Sequence, residues 1–444
     1  MSTLVRGEGL GQKGEGIARV MGMPVFIPGL LPGEDALVRL NDRKTSYARG
    51  ELMTLLQPSP QRRDPFCPAF GICGGCHLQH LDYEAGIAWK RDYVRQLFRH
   101  QGGLDVDVRD TIPSEELHGV RNKVQLPFAS VDEELCLGFY AARSHRVIPI
   151  ASCPMQSPLA NKALRIFKDL LPDLKTSVYN ERLRTGMLRH LILRTDRDDD
   201  QIQITLVVND DQVPGLTSLI PAVRGQLPEM NGLLLNINRS AGNKVLSNTY
   251  HLLWGSSLLE DRIGSYTYRM TPGSFFQTNR FLTETLYETA LEMVDLQGNE
   301  SVVDLYCGVG TISLYLARRA AMVYGVELYP QAIVEARQNA MANGIDNVKF
   351  IVGAAESMFD DLLAHEVPDL VLVDPPRRGC DTALLQAIMK ARIPKIVYIS
   401  CNPATLVRDA IFLCSAGYEM SAVQPVDMFP WTEHIECCCS FTRI

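Results

Sequence analysis

The sequence predicts an α/β protein with more than one domain. Its 444 residues exceed what a single hydrophobic core usually organises. Short apolar stretches between glycine- and proline-rich turns over residues 1–57 indicate a small β-barrel. From about residue 280, apolar strands alternate with helical stretches, which predicts a parallel sheet with crossover helices. The region between these two has a mixed pattern and predicts an α+β domain.

The composition limits the possible classes of protein. Apolar residues make up 46% of the chain and charged residues 21%, which excludes a wholly disordered, collagen-like or membrane-embedded chain. The sequence has no apolar run long enough for a transmembrane helix. The first residues lack the apolar core of a signal peptide, so we expect a cytoplasmic protein. No association motif is evident, and we expect a monomer.

The charge is unevenly distributed along the chain. The net charge is −7, but residues 1–63 hold nine Lys and Arg against six Asp and Glu. Residues 143–197 hold eleven Lys and Arg against four Asp and Glu. The two regions therefore predict local basic surfaces, of the kind that bind nucleic acid, on a protein that is acidic overall.

The N-terminal barrel is predicted from apolar stretches at 16–20, 24–28, 36–40 and 50–56. Turn signals such as Pro28-Gly29 separate these stretches at regular spacing. The proline-rich residues 58–65 are then predicted to be a linker. We therefore assign the first domain to residues 1–57.

Residues 61–265 are assigned to a central α+β domain. It opens with a cysteine-rich loop at 67–80, which we call the cysteine loop. The apolar spacing over residues 83–100 predicts a helix, and we expect this helix to pack on the C-terminal domain. Apolar stretches at 147–150, 191–194 and 201–208 predict strands.

The C-terminal domain is assigned to residues 266–444. Its predicted strands are at 301–305, 322–326, 348–352, 369–373 and 395–399. In an open parallel sheet, ligands bind beyond the carboxyl ends of the strands. The residues that directly follow these strands are therefore the candidates for chemistry.

Two glycines follow the first of these strands. Gly308 and Gly310 allow the backbone to approach a ligand closely. Glu327 ends the second strand, where a carboxylate commonly receives the hydroxyls of a ribose. The pattern predicts a nucleoside-containing ligand, but it is not the dinucleotide pattern Gly-x-Gly-x-x-Gly. The segment instead resembles class I S-adenosylmethionine-dependent methyltransferases, which implies a Rossmann-like methyltransferase domain.

Asp374 and Cys401 follow the fourth and fifth strands and are predicted to share one edge of the sheet. A cysteine there is either a buried apolar residue or a nucleophile. Pyrimidine chemistry favours the nucleophile, because a thiolate that adds to C6 makes C5 able to attack a sulfonium methyl group. A base must then remove the C5 proton. Glu433 and Glu436 are the two candidates, and spacing alone does not choose between them.

Five segments occur in an order that resembles the RNA uracil-5-methyltransferase family over nearly the whole chain. They are Phe275-Phe-Gln-Thr-Asn279, Asp304-Leu-Tyr-Cys-Gly-Val-Gly-Thr311, Asp374-Pro-Pro-Arg-Arg-Gly379, Ser400-Cys-Asn-Pro-Ala-Thr-Leu-Val-Arg-Asp409 and Thr432-x-His434-x-Glu436. The resemblance implies that Cys401 is the nucleophile and Glu436 the proton acceptor. It also implies that four residues contact S-adenosylmethionine or lie between it and the base: Gln277, Tyr306, Glu327 and Asp374.

The cysteine loop carries a C-x5-C-x2-C pattern formed by Cys67, Cys73 and Cys76. A site with four thiolates needs one more ligand, and Cys136 and Cys153 are the distal candidates. Spacing does not separate zinc from an iron–sulfur cluster. The arrangement resembles the ribosomal RNA uracil-5-methyltransferases that hold a 4Fe–4S cluster, which implies the ligands Cys67, Cys73, Cys76 and Cys153.

Residues 14–19 and 26–34 resemble the TRAM module, an OB-like barrel that binds RNA. A base in folded RNA must leave its stack to reach Cys401, so large RNA-holding domains are expected. The leading hypothesis is an S-adenosylmethionine-dependent 23S ribosomal RNA uracil-5-methyltransferase. The alternatives are the same chemistry on a transfer RNA uridine, and a non-catalytic RNA-binding or assembly factor that retains the fold.

Overall fold

The computed structural model describes residues 2–132, 134–174, 176–364 and 367–444. At the N-terminus, strands pair in the order β1-β5-β6-β4-β3-β2. They are β1 (Thr3–Arg6), β2 (Gly9–Leu10), β3 (Gly16–Val20), β4 (Met23–Ile27), β5 (Asp35–Arg43) and β6 (Ala48–Gln57). Small and β-branched side chains such as Ala18, Val25 and Val38 fill the interior of this sheet. The four predicted stretches correspond to β3 through β6.

A helix links this sheet to the rest of the molecule. α1 (Tyr83–Leu97) continues into one π-helical turn at Phe98–Gly102. Val94, Leu97 and Phe98 are buried in the same hydrophobic core as Leu406 and Val407 of the C-terminal sheet region. The apolar face of α1 therefore packs on the C-terminal domain.

The central sheet has the order β13-β12-β11-β10-β7-β8-β9. Its strands are β7 (Lys123–Val131), β8 (Glu134–Tyr140), β9 (Val147–Pro149), β10 (Leu188–Thr195), β11 (Ile202–Val208), β12 (Met230–Ile237) and β13 (Tyr250–Gly255). The helices α2 (Pro158–Leu170) and α3 (Leu216–Gln226) share its hydrophobic core. Ser157 caps α2 by accepting a hydrogen bond from the backbone N–H of Ala160.

A hairpin of β14 (Leu259–Ile263) and β15 (Tyr266–Met270) follows the central sheet. The boundary expected at residue 265 therefore falls inside this hairpin. Its buried residues Ile263, Tyr268 and Met270 pack in the core of the C-terminal domain.

The C-terminal sheet has the order β18-β17-β16-β19-β20-β23-β21, and β22 also pairs with β23. Its strands are β16 (Ser301–Leu305), β17 (Met322–Glu327), β18 (Val348–Val352), β19 (Leu370–Val373), β20 (Lys395–Ser400), β21 (Tyr418–Met420), β22 (Gln424–Val426) and β23 (Glu436–Arg443). The helices are α4 (Thr283–Glu292), α5 (Thr311–Ala317), α6 (Pro330–Ala342), α7 (Ala355–Leu363), α8 (Thr382–Ala391) and α9 (Pro403–Ser415). The first five strands are parallel and β23 is antiparallel to β20. The predicted α/β fold class is confirmed.

Among the described residues, we find no helix that combines the length and the apolar character needed to cross a membrane.

A buried ion pair connects α1 to the segment that precedes β23. We call this segment the 427–435 loop. Lys90 is 2% exposed, and its ammonium group donates to Asp427 Oδ1 at 2.5 Å. The same group donates to the carbonyl oxygens of Phe429 at 3.1 Å and His434 at 2.8 Å. The hydroxyl of Tyr83 donates to the other oxygen of Asp427 at 2.7 Å. Both charges are thus fully hydrogen-bonded in the interior.

Replacement of Lys90 by Met should destabilise the protein by about 3–5 kcal/mol, because the buried carboxylate of Asp427 loses its countercharge. The double variant Lys90→Met/Asp427→Asn should recover much of this loss, since it removes both charges. As a control, Arg95→Met removes an exposed cation from the same helix and should cost about 1 kcal/mol or less. Urea unfolding measures all three, and equal losses for Lys90→Met and Arg95→Met would contradict the role of the pair.

Candidate active site

The carboxyl edge of the C-terminal sheet brings together Asp374, Cys401 and Glu436. Asp374 follows β19 and Cys401 follows β20 directly, as predicted. β23 starts at Glu436 and pairs with β20 so that Ser400 lies opposite Cys437. Cys401 comes directly after the last paired residue of β20, and the charge of Glu436 acts on its thiol. The thiol and the carboxylate are therefore neighbours.

Burial raises the pKa values of all three acidic groups of this cluster, and neighbouring carboxylates add to the shifts of Cys401 and Glu436. Burial, followed by the charges of Glu436 and Asp374, raises the pKa of Cys401 to about 12, and only the nearby Arg377 acts in the opposite direction among the charged neighbours. Burial, with a further contribution from Asp374, raises the pKa of Glu436 well above its usual range. Burial raises the pKa of Asp374 to about 7. Without a cation in the site, the thiol is protonated at neutral pH.

The two candidate bases have different surroundings. Glu436 is 2% exposed and lies beside Cys401. The carboxylate of Glu433 instead forms a close ion-pair contact with Nδ1 of His77 in the cysteine loop. Burial opposes ionisation of Glu433, but His77 and His434 lower its pKa below the usual value. The surroundings therefore favour Glu436 as a base of high pKa and Glu433 as a structural ion-pair partner.

The loop after β16 has the geometry of a ligand-binding turn. Tyr306, Gly308 and Gly310 all have positive φ angles, of 69°, 56° and 84°. Glu327, at the end of β17, accepts hydrogen bonds from the backbone N–H groups of Gly308 at 3.2 Å and Tyr329 at 3.0 Å. Each carboxylate oxygen has two lone pairs, so Glu327 can still accept from two further hydroxyls. The arrangement fits the ribose of a nucleoside.

The hydroxyl of Tyr306 donates to Glu356 at 3.4 Å, on the first turn of α7. Burial raises the pKa of this phenol far above its usual range, so it is neutral. The side chain is half-buried and lines the region between β16 and α7.

Gln277 lies on the segment between β15 and α4. The segment is held at both ends, since Asn122 donates to the carbonyl of Gln277 at 3.0 Å and Asn279 donates to the carbonyl of Met428 at 3.1 Å. Gln277 is 5% exposed. The side-chain amide of Asn279 thus holds the segment of Gln277 against the 427–435 loop that leads to Glu436.

The 427–435 loop is also held by the cysteine loop. The backbone N–H groups of His77 and Leu78 both donate to the carbonyl of Trp431, at 2.9 and 3.0 Å. The indole ring packs against Phe66 and Tyr83. Sequence reasoning did not identify these contacts, nor those of Lys90, because the partners are more than 300 positions apart and carry no shared motif.

Four cysteines line a single cavity of about 70 Å³: Cys67, Cys73, Cys76 and Cys153. Cys136, the other distal candidate, is on β8 opposite Ala129 and is outside the lining of this cavity. Among the described residues, no group of three or more His, Cys, Asp or Glu side chains is placed to hold a metal ion. The structure thus groups the four thiols around a space without gathering them at one point.

Comparisons with known proteins identify relatives for nearly the whole chain. A family model described as tRNA (uracil-5-)-methyltransferase matches residues 83–444, and a TRAM domain model matches residues 4–53. An uncharacterized RNA methyltransferase of Clostridium tetani is 42% identical over 429 residues, which cover 96% of this chain and 93% of the relative. An uncharacterized RNA methyltransferase of Halalkalibacterium halodurans is 40% identical over 431 residues, which cover 97% and 94%.

A solved structure has the same architecture. The tRNA (uracil-54, C5)-methyltransferase of Pyrococcus abyssi, in complex with S-adenosyl-L-homocysteine, aligns with a TM-score of 0.79 and 28% identity. The alignment covers 100% of this chain and 99% of that structure. The resemblance in sequence is therefore confirmed at the level of the family. The chain is a TRAM-containing RNA methyltransferase and belongs to the tRNA (uracil-5-)-methyltransferase family.

Proposed function

We propose that this protein transfers a methyl group from S-adenosylmethionine to C5 of a uridine in 23S ribosomal RNA through a covalent Cys401 adduct. The observation that carries the proposal is the placement of Cys401 directly after β20 and of Glu436 at the start of β23, two strands that pair, with Asp374 directly after the adjacent strand β19. A nucleophile and a base of high pKa on one sheet edge are the two groups that C5 methylation of a pyrimidine requires.

The reaction assigns a separate step to each residue. The Cys401 thiolate forms a C–S bond to C6 of the uracil, and the displaced electron pair makes C5 the nucleophile. Bound S-adenosylmethionine would supply the methyl group: the C5–methyl bond would form as the methyl–sulfur bond breaks, S-adenosylhomocysteine would leave, and the sulfonium charge before transfer would favour the anionic forms of the acids beside it. Glu436 then takes the proton from C5, the C5–C6 double bond re-forms, and the C–S bond breaks to release the thiolate.

Four residues are proposed to hold the methyl donor or to separate it from the base. Glu327 supports this assignment through its free lone pairs at the end of β17, and Tyr306 through its place after β16. Asp374 and Gln277 lie on the β19 edge and on the segment against the 427–435 loop, respectively.

The choice of RNA rests on the cysteine loop. Its cysteine pattern resembles ribosomal RNA uracil-5-methyltransferases that hold a 4Fe–4S cluster, which favours 23S ribosomal RNA. The Pyrococcus abyssi structure is of an enzyme for uracil-54 of transfer RNA, which favours transfer RNA as the second candidate.

The four thiols of the cysteine loop cavity are proposed to bind a 4Fe–4S cluster. These four cysteines line one cavity, and four thiolates can ligate such a cluster; the preference for a cluster over zinc follows the resemblance of the cysteine pattern. Methyl transfer moves no net electrons, so the proposed role is structural. The same loop carries His77 and Leu78, which hold the 427–435 loop.

Glu436→Gln should accumulate the covalent RNA adduct and stall its release, because the amide cannot accept the C5 proton. The measurement is a gel-shift assay for the protein–RNA adduct with S-adenosylmethionine and unmodified substrate RNA. Glu433→Gln is the matched control and should release product, since Glu433 contacts His77 and not Cys401. Cys401→Ala should give neither adduct nor product. Fast release by Glu436→Gln together with stalling by Glu433→Gln would assign the base to Glu433.

Deletion of the gene should remove a 5-methyluridine from 23S ribosomal RNA and leave transfer RNA unchanged. Mass spectrometry of ribonuclease fragments from both RNAs measures this. Expression of the wild-type protein should restore the modification, and expression of Cys401→Ala should not. Loss confined to transfer RNA would replace the proposed substrate by transfer RNA, and no loss from either RNA would support a non-catalytic RNA-binding factor.

Protein purified without oxygen should be brown and contain about four iron and four sulfide per chain. Cys153→Ser should lose iron and sulfide, because it removes a proposed ligand. Cys136→Ser is the matched control and should retain both, since Cys136 lies outside the cavity. A colourless protein that contains one zinc per chain would contradict the cluster.

A further inference from the structure

A surface cleft in the central domain lies outside the site described above. It is lined by Tyr140, His145, Arg146, Tyr179, Arg182 and His190 and encloses about 440 Å³. We call it the basic cleft. It adjoins the cysteine loop, because the N–H of Gly74 donates to the carbonyl of Tyr140 at 3.0 Å. The cysteine loop in turn holds the 427–435 loop, so one structural element touches both the basic cleft and the candidate active site.

The rim of the basic cleft is positively charged. Arg146 and Arg182 are exposed there, within the region 143–197 that has seven more basic than acidic residues. The carboxylate of Glu181 also lines the cleft, and it lies 3.2 Å from Nδ1 of His145. Two exposed guanidinium groups on one rim match the phosphates of a nucleic-acid backbone.

Aromatic rings form the walls of the cleft. One face of Tyr179 is covered by the guanidinium of Arg189, at 4.3 Å from the ring centroid. Arg189 is itself fixed by donation to the carbonyl of Asn238 at 2.6 Å. The half-buried ring of Tyr140 lies 5.4 Å from that of His145. Aromatic rings beside a basic rim are the arrangement with which proteins bind unpaired nucleotides, because each base can stack on a ring.

His190 adds a polar atom that lacks a partner. The residue is 8% exposed, and its Nδ1 has no hydrogen-bond partner among the described residues. Burial, with a smaller effect of Arg189, lowers the pKa of His190 to about 4, so the ring is neutral at pH 7. This nitrogen is enclosed by protein atoms, so a ligand in the cleft does not reach it.

We propose that the basic cleft binds a single-stranded segment of the RNA substrate, with phosphates on Arg146 and Arg182 and a base against Tyr140. This inference rests on the proposed function, because it takes RNA as the substrate. It explains why an acidic protein concentrates basic residues in this part of its chain. It also adds a second RNA-binding surface beside the TRAM domain.

The double substitution Arg146→Glu/Arg182→Glu tests the charged rim. Fluorescence anisotropy of a labelled single-stranded RNA oligonucleotide, measured at several salt concentrations, reports binding. We expect the Kd to rise about tenfold or more and the salt slope to fall by about 1.4, since each phosphate contact with a single strand accounts for about 0.7. In methylation assays, KM for RNA should rise while kcat at saturating RNA stays unchanged.

The matched control is Arg165→Glu/Arg224→Glu, which reverses the charge at two exposed positions on α2 and α3 outside the cleft. It should leave the salt slope as in the wild type. Tyr140→Leu should weaken binding about fivefold or more through lost stacking, and Tyr140→Phe should not. An unchanged Kd in the cleft double variant, or an equal loss in the control, would overturn the proposal. Failure of the proposed function would give a different result. The wild-type protein would then form no Cys401 adduct with any RNA.

Discussion

The antiparallel register of β20 with β23 is the constraint on which the candidate site depends. Side chains alternate between the two faces of a strand, so a slip of one residue would turn Glu436 away from Cys401. The run Cys437–Cys439 cannot set this register, because three residues of equal volume are interchangeable between faces. Phe441 can, since it packs with Cys437 and Cys439 in one core while Cys438 packs in the other. A large side chain five positions along the strand therefore determines where the base lies.

The N-terminal half of the molecule has two roles. It holds the 427–435 loop beside the carboxyl edge of the C-terminal sheet, and it presents surfaces to RNA. Trp431 has a φ of 65°, a conformation that costs about 1–3 kcal/mol for a residue other than glycine. The strain is offset by contacts from two elements: backbone donors of the cysteine loop on its carbonyl and the ammonium group of Lys90 on the neighbouring carbonyls. Both elements lie outside the Rossmann-like sheet. The position of the 427–435 loop therefore depends on segments that are far from it in the sequence.

Local sequence patterns were sufficient to predict the fold class and the strand ends, but not the partners between distant segments. Asp374 and Cys401 could be placed because each follows an apolar strand, and parallel strands end at one edge. Spacing left Glu433 and Glu436, and likewise Cys136 and Cys153, as alternatives; the preference for Glu436 and Cys153 came from the family resemblance, and the surroundings that support it, the His77 contact of Glu433 and the lining of the cysteine cavity, lie between distant segments. No sequence pattern marked Lys90 for burial. Its burial depends on Asp427, 337 positions away, and no periodicity links the two.

The pKa of the Cys401 thiol, and with it the reactivity of this group, depends on the charge of whatever binds beside it. Burial disfavours the anions of Cys401, Glu436 and Asp374, the charge of Asp374 further disfavours the other two, and the charge of Glu436 further disfavours the Cys401 thiolate. Arg377 lowers the pKa of Cys401, but the value of about 12 shows that this cation alone does not produce a thiolate at neutral pH. A second positive charge next to the carboxylates would favour all three anions together. In the proposed mechanism, a cationic methyl donor beside these groups would therefore favour the thiolate of Cys401 and the carboxylate of Glu436 together.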